Sequence, residues 1–130
     1  MLSANQIAKI CYETDRAFNA VVSSNIGLSW EDCPQRSRNE AISNVRYLID
    51  NQTAPASDIH ERWLKTQRDL GWTWADEYNK LYKCDPMVTH FNKLTPRQQL
   101  RINLFGTIVR MCHKKKLSDT ARTLLDMLDT

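Results

Sequence analysis

Seven side chains in this sequence have the chemistry to hold a flat, negatively charged molecule: Trp30, Trp63, Trp72, Trp74, Arg16, Arg46 and His60. Indole faces stack on heteroaromatic rings, and each stacked base contributes roughly 1–3 kcal/mol. Arg46 lies between Val45 and Tyr47, and Arg16 between Asp15 and Ala17, both beside an apolar helical stripe. A guanidinium at the edge of a buried face needs an anion, which an internal carboxylate or a ligand phosphate can supply. The run from His60 to Trp74 gathers three of the four tryptophans around Gly71. Such indoles serve a core or the walls of a pocket, and both hold if core indoles present their edges to a ligand.

Other chemistries find little support. His60, His90 and His113 are far apart, and neither G-x-S-x-G nor H-E-x-x-H occurs. Gly27, Gly71 and Gly106 are isolated, so there is no glycine-rich phosphate loop. Cys11, Cys33, Cys84 and Cys112 are scattered without metal-ligand spacing and read as free thiols. The expectation is a chain that is not an enzyme, with no metal and no cofactor.

Helices must position these residues. From Gln6 to Val22 the apolar positions Ile7, Ile10, Cys11, Phe18, Val21 and Val22 recur at helical spacing. Pro34 fits a helix start, with Ala41, Ile42, Val45, Leu48 and Ile49 as the buried stripe that follows. Ser57 is the expected N-cap of a third helix, with Ile59, Trp63 and Leu70 inward and Gly71 as its stop. Trp72 and Trp74 then point the same way if the backbone is extended. Thr95-Pro96-Arg97-Gln98 spells a capping box, leading into Leu100, Leu104, Phe105, Ile108, Val109 and Cys112. A last helix is expected from Ser118 to Leu128. The prediction is an all-α fold: a single compact domain of about five helices with one irregular Trp-containing loop.

A chain of 130 residues with 42% hydrophobic and 25% charged content can bury one core. No apolar run approaches the twenty residues a membrane span needs, and the first ten residues lack a signal-peptide layout. The expected location is the cytoplasm, that of the host if the chain is viral. Net charge is +3, with the excess in the second half. That permits an anionic small molecule but is too thin for a duplex-binding stripe, so nucleic acid is the weakest partner reading. Lys114-Lys115-Lys116 reads as a solvated helix end whose cations suit the C-terminal dipole.

Several separated blocks resemble the Ryr domain, the repeat module of ryanodine receptors that also occurs alone in bacterial and phage proteins. The shared pattern runs His60-x-x-Trp63, then Gly71-Trp72-Thr73-Trp74, then Lys83-Cys84-Asp85-Pro86-Met87-Val88 and Leu94. The front half, I-A-K-I-C-Y-E-T-D-R-A-F and W-E-D-C-P followed by A-I-S-N-V-R-Y-L, is similar to the stand-alone prokaryotic members. Asp85 stands where the family commonly has histidine, His90 where proline is usual, and Ala75 where glycine is usual. On this resemblance residues 1–113 form a Ryr-like helical domain. Residues 114–130 form a C-terminal helical extension packed on it or on a partner.

The resemblance implies a non-catalytic module binding a nucleotide-derived signal of cyclic or ADP-ribose type, a sensor or a sequestering sponge in phage–host immunity. Trp63, Trp72 and Trp74 would stack, Arg16 and Arg46 would hold phosphate, and His60 and Trp30 would form the rim. The alternative is a protein–protein interaction or self-assembly module without a small ligand, its homo-oligomer contact running through 118–128.

Overall fold

A computed structural model describes residues 2–113 together with 127 and 128. Among these residues the protein is all-α: helices α1 (Ala4–Ser23), α2 (Gln35–Asp50), α3 (Ser57–Asp69) and α4 (Pro96–His113), plus a 3-10 turn at Phe91–Lys93. The expected fifth helix lies outside the described residues except for Met127 and Leu128, which are helical. No helix among the described residues is long and apolar enough to cross a membrane.

Local chemistry sets the helix ends. Ser3 opens α1 with a capping box, its hydroxyl accepting from the Gln6 N–H while the Gln6 carboxamide accepts from the Ser3 N–H. Thr95 and Gln98 make the same pair at the start of α4, as the sequence predicts. Gly71 ends α3 at φ +90°, a conformation that strains residues with a Cβ. Lys83 reaches back to donate to the Leu70 carbonyl at 2.8 Å, placing a cation where the α3 dipole is negative. Ser57 is not the N-cap. Ala56 occupies that position in helical conformation, without a side-chain cap, and its carbonyl accepts from the Ile59 N–H at 3.1 Å.

α1 packs on both α2 and α4, which also touch each other, and α3 leans on α4 and the 3-10 turn. The core joins Ile7, Ala8 and Cys11 to Trp30, Cys33, Val45, Leu48 and Val109. Burying each large aliphatic side chain contributes roughly 1.5–3 kcal/mol. The apolar stripe of α1 is shorter than the sequence suggests. Its buried residues all lie in the first half of the helix, and Val21 is 85% exposed. Leu70 and Leu100 also face outward, while Leu64 is the buried residue of α3 beside His60.

The chain from Trp72 to His90 has little regular structure but is well tied. Thr73 donates to the Lys83 carbonyl and accepts from the Asp85 N–H, while Asn79 and Cys84 exchange backbone bonds at 2.8 and 2.9 Å. Thr73 is thus in extended backbone, and Trp72 and Trp74 on either side of it border one shallow depression.

Candidate functional site

An apolar cavity opens between α1, α2 and α4. It is a mostly apolar cleft of about 420 Å³. The capped start of α4 fixes its register, so Gln98, Arg101, Ile102, Phe105 and Ile108 recur along the cleft at helical steps. Cys11, Tyr12 and Asp15 face it from α1, and Ala41 and Asn44 from α2. Ile59 and Met87 close the remaining side.

Its polar edge is a fork. Arg101 Nε donates to Asp15 Oδ1 and Nη2 to Oδ2, each at 2.7 Å. Both side chains are more than a third exposed, so the pair contributes at most about 1 kcal/mol to stability. Its geometric effect is larger: it holds a planar cation and a carboxylate side by side at the mouth of an apolar slot. Behind the wall, Tyr12 donates to the Leu28 carbonyl at 2.7 Å and meets Trp30 edge-on, ring centroids 5.6 Å apart.

The thiol in the cleft, Cys11, donates weakly to the Phe105 carbonyl, Sγ to O 3.9 Å. Burial, and to a smaller degree the nearby Cys112, pushes Cys11 up to about 12. On the order of one part in ten thousand is then ionised near pH 8. A thiol reagent should therefore modify the half-buried Cys84 of the native protein well before Cys11, with mass mapping of the labelled peptides as the readout. Equal labelling would mean that the cleft wall opens.

The loop carrying Met87 is held by two consecutive residues of α3. His60, only 4% exposed, bonds through Nε2 to the Thr89 carbonyl at 2.7 Å. Glu61 accepts from the Phe91 N–H and pairs with His90 Nδ1, both at 2.9 Å. Asp85 accepts from the Met87 N–H at 2.8 Å. Asp85 and His90 thus help to fix this loop. The Phe91 N–H first, and His90 second, hold the Glu61 carboxyl below its ordinary value against a partial opposing effect of burial. A lowered folded value adds stability above the ordinary carboxylate range and loses it as pH falls through that range and below. Glu61→Gln should flatten this acid limb, seen as a smaller loss of urea midpoint between neutral pH and about pH 3 than in the parent. An unchanged limb would remove Glu61 from the account.

The seven residues expected to form one site are dispersed. Glu13 joins two of them, accepting from the Trp30 N–H and from Arg16 Nη1, each at 2.8 Å. The anion of Arg16 is therefore an internal carboxylate, and Trp30 is buried behind Tyr12. Arg46 is exposed in a separate polar depression beside Asn39 and Ser43. His60 is buried under the loop, with its ring against that of Trp63, centroids 5.5 Å apart. Trp63 lies in a groove between α2 and α3. Trp72 stacks on Tyr78 at 5.7 Å and shares a depression with Trp74, Arg68 and Val88.

The residues that do converge are Asp15, Asn44, Gln98 and Arg101. Arg101 carries the same signal as Arg16 and Arg46, a cation between Leu100 and Ile102 within an apolar stripe. Its partner is 86 residues away, which local spacing does not reveal. No protein-family model matches the chain, and no curated protein matches it either.

Proposed function

We propose that this chain is a non-catalytic small-ligand-binding module whose site is the cleft between α1, α2 and α4. The observation that carries the reading is the cleft itself: about 420 Å³, mostly apolar, with the Asp15–Arg101 fork at its edge. Ligand sites typically combine a volume of about 300–1,000 Å³ with a few fixed polar groups. A flat heteroaromatic base suits the walls of Ile102, Phe105 and Ile108, and Asp15, Asn44 and Gln98 supply polar contacts for its edge. The resemblance to Ryr domains adds the ligand class, a nucleotide-derived signal of cyclic or ADP-ribose type. In a bacterial cell the module would sense that signal; carried by a phage, it would sequester it in the host cytoplasm. His60 and His90 are engaged in holding the loop, which favours binding over acid–base chemistry.

The test is a thermal-shift panel of cyclic and ADP-ribose-derived nucleotides. One member at about a hundredfold its Kd should add about 2.7 kcal/mol, a shift of several degrees. No shift with any member at saturating concentration contradicts the nucleotide reading.

A second reading, self-association without a small ligand, draws on the irregular loop. Trp74, Tyr78, Leu81 and Tyr82 are all largely exposed, and aromatic side chains of this kind anchor interfaces. Sedimentation at rising concentration decides it: a dimer lost on Trp74→Ser with Tyr82→Ser supports it, and a monomer throughout excludes it.

A further inference from the structure

Asn44 borders two cavities at once. On one side is the apolar cleft; on the other is a groove of about 490 Å³ between α2 and α3. The groove exists because α2 and α3 do not pack closely along their lengths. They are tied through Tyr47, whose hydroxyl reaches Asp58 at 3.2 Å and whose ring lies 4.0 Å beneath the Arg62 guanidinium. Helical spacing carries the walls from one cavity into the other. Arg36, Glu40 and Asn44 follow at four-residue steps on α2, and Ile59 of the cleft stands one turn before Trp63 of the groove on α3.

The two cavities differ in character. The cleft is apolar, whereas the groove sets Arg36, Arg62 and Lys65 against one carboxylate, Glu40. Lys65 is already bridged to Asp69 at 3.1 Å. Neither Arg36 nor Arg62 is within ion-pair distance of a carboxylate among the described residues. Stacking on Tyr47 limits the freedom of Arg62, so less entropy is lost when it meets an anion. Trp63, half-buried beside it, adds an apolar wall.

We propose that the cleft and the groove are two halves of one site for an amphipathic organic anion. The flat apolar body lies in the cleft, the linking atoms pass Asn44, and a phosphate, sulfonate or carboxylate head sits between Arg36 and Arg62. This assignment rests on the small-ligand reading and deepens it, for it names the ligand's charge, its two-part shape and the side chains that meet each part. A nucleotide is one member of the class.

The test uses two probes with the same naphthalene body and different charge: N-dansyl-4-aminobutanoate, whose carboxylate hangs on a short flexible linker, and the neutral dansylamide. Their affinities are measured by fluorescence for the parent chain, for Arg36→Gln with Arg62→Gln, and for Ile102→Trp. The anionic probe should bind the parent about tenfold tighter at low salt, equivalent to 1.4 kcal/mol. High salt should erase most of that difference. The double glutamine variant should lose the same advantage while binding the neutral probe as the parent does, which also shows that it is folded. Ile102→Trp should weaken both probes. Equal affinity of the two probes, or an anionic advantage that survives the glutamine variant, overturns the two-part site and leaves the cleft reading standing. Anion binding that Ile102→Trp leaves untouched makes the groove a separate site and overturns the assignment. Binding of neither probe to the parent overturns the cleft reading as well.

Discussion

Ile102→Trp should sharply weaken ligand binding while the protein stays folded. Ile102 is half-buried and lines the cleft from the middle of α4, so an indole there projects into space that a ligand needs. The cleft is open to solvent on one side, which gives the larger ring room that a closed core lacks. The loss should be on the order of a hundredfold in affinity, about 2.7 kcal/mol of binding. Stability should stay within about 1 kcal/mol of the parent, because the added ring is partly buried on apolar neighbours. Val21→Trp is the control: it adds the same ring at an exposed position and should leave affinity unchanged. Titration calorimetry with the ligand found in the thermal-shift panel gives the comparison. Equal affinity in both variants would move the site out of the cleft.

The second large effect concerns the fold. Gly106→Ala should lower stability by about 1–2 kcal/mol, even though alanine is the better helix former. A methyl at 106 would stand 2.6 Å from the methyl of Ala56, far inside van der Waals contact. Both atoms are fixed to backbone, so neither can rotate away, and α4 must shift from the α2–α3 connection. Overpacking of this kind typically costs about 1–3 kcal/mol, and the gain in helix propensity of about 1 kcal/mol offsets part of it. For a chain of this size the midpoint should fall by several degrees. Gly106→Ala combined with Ala56→Gly should recover most of the loss, since it restores the close approach with the roles exchanged. A single variant as stable as the parent would show that α4 is not tightly held at this crossing.

Signals carried by neighbouring residues were legible; those that depend on packing were not. The capping box at Thr95, the stop at Gly71 and the stripe through Val45 and Leu48 are chemistry within one turn, and they mark α4, the end of α3 and the face of α2 as found. Val21 and Leu100 satisfy helical periodicity yet face solvent, because periodicity identifies a face without saying how far along it a neighbour extends. Ser57 has the chemistry of a cap, but the helical bonding starts before it, with the Pro55 and Ala56 carbonyls accepting from the Asp58 and Ile59 N–H groups. For the site the difficulty is sharper. Trp30 and Arg16 have the chemistry to hold a ligand, but Glu13 already engages both. Trp63 does border a groove with arginines, though they are Arg36 and Arg62, neither Arg16 nor Arg46. The Asp15–Arg101 fork could not be seen in advance because it exists only where α1 crosses α4.

The most direct measurement is a methyl-resolved NMR titration with dansylamide, reading isoleucine and methionine methyls. The cleft predicts saturable shifts concentrated on Ile59, Met87, Ile102 and Ile108, with the exposed Ile26 unmoved. Shifts that gather elsewhere while those four stay still would contradict the claim that this cleft is a binding site.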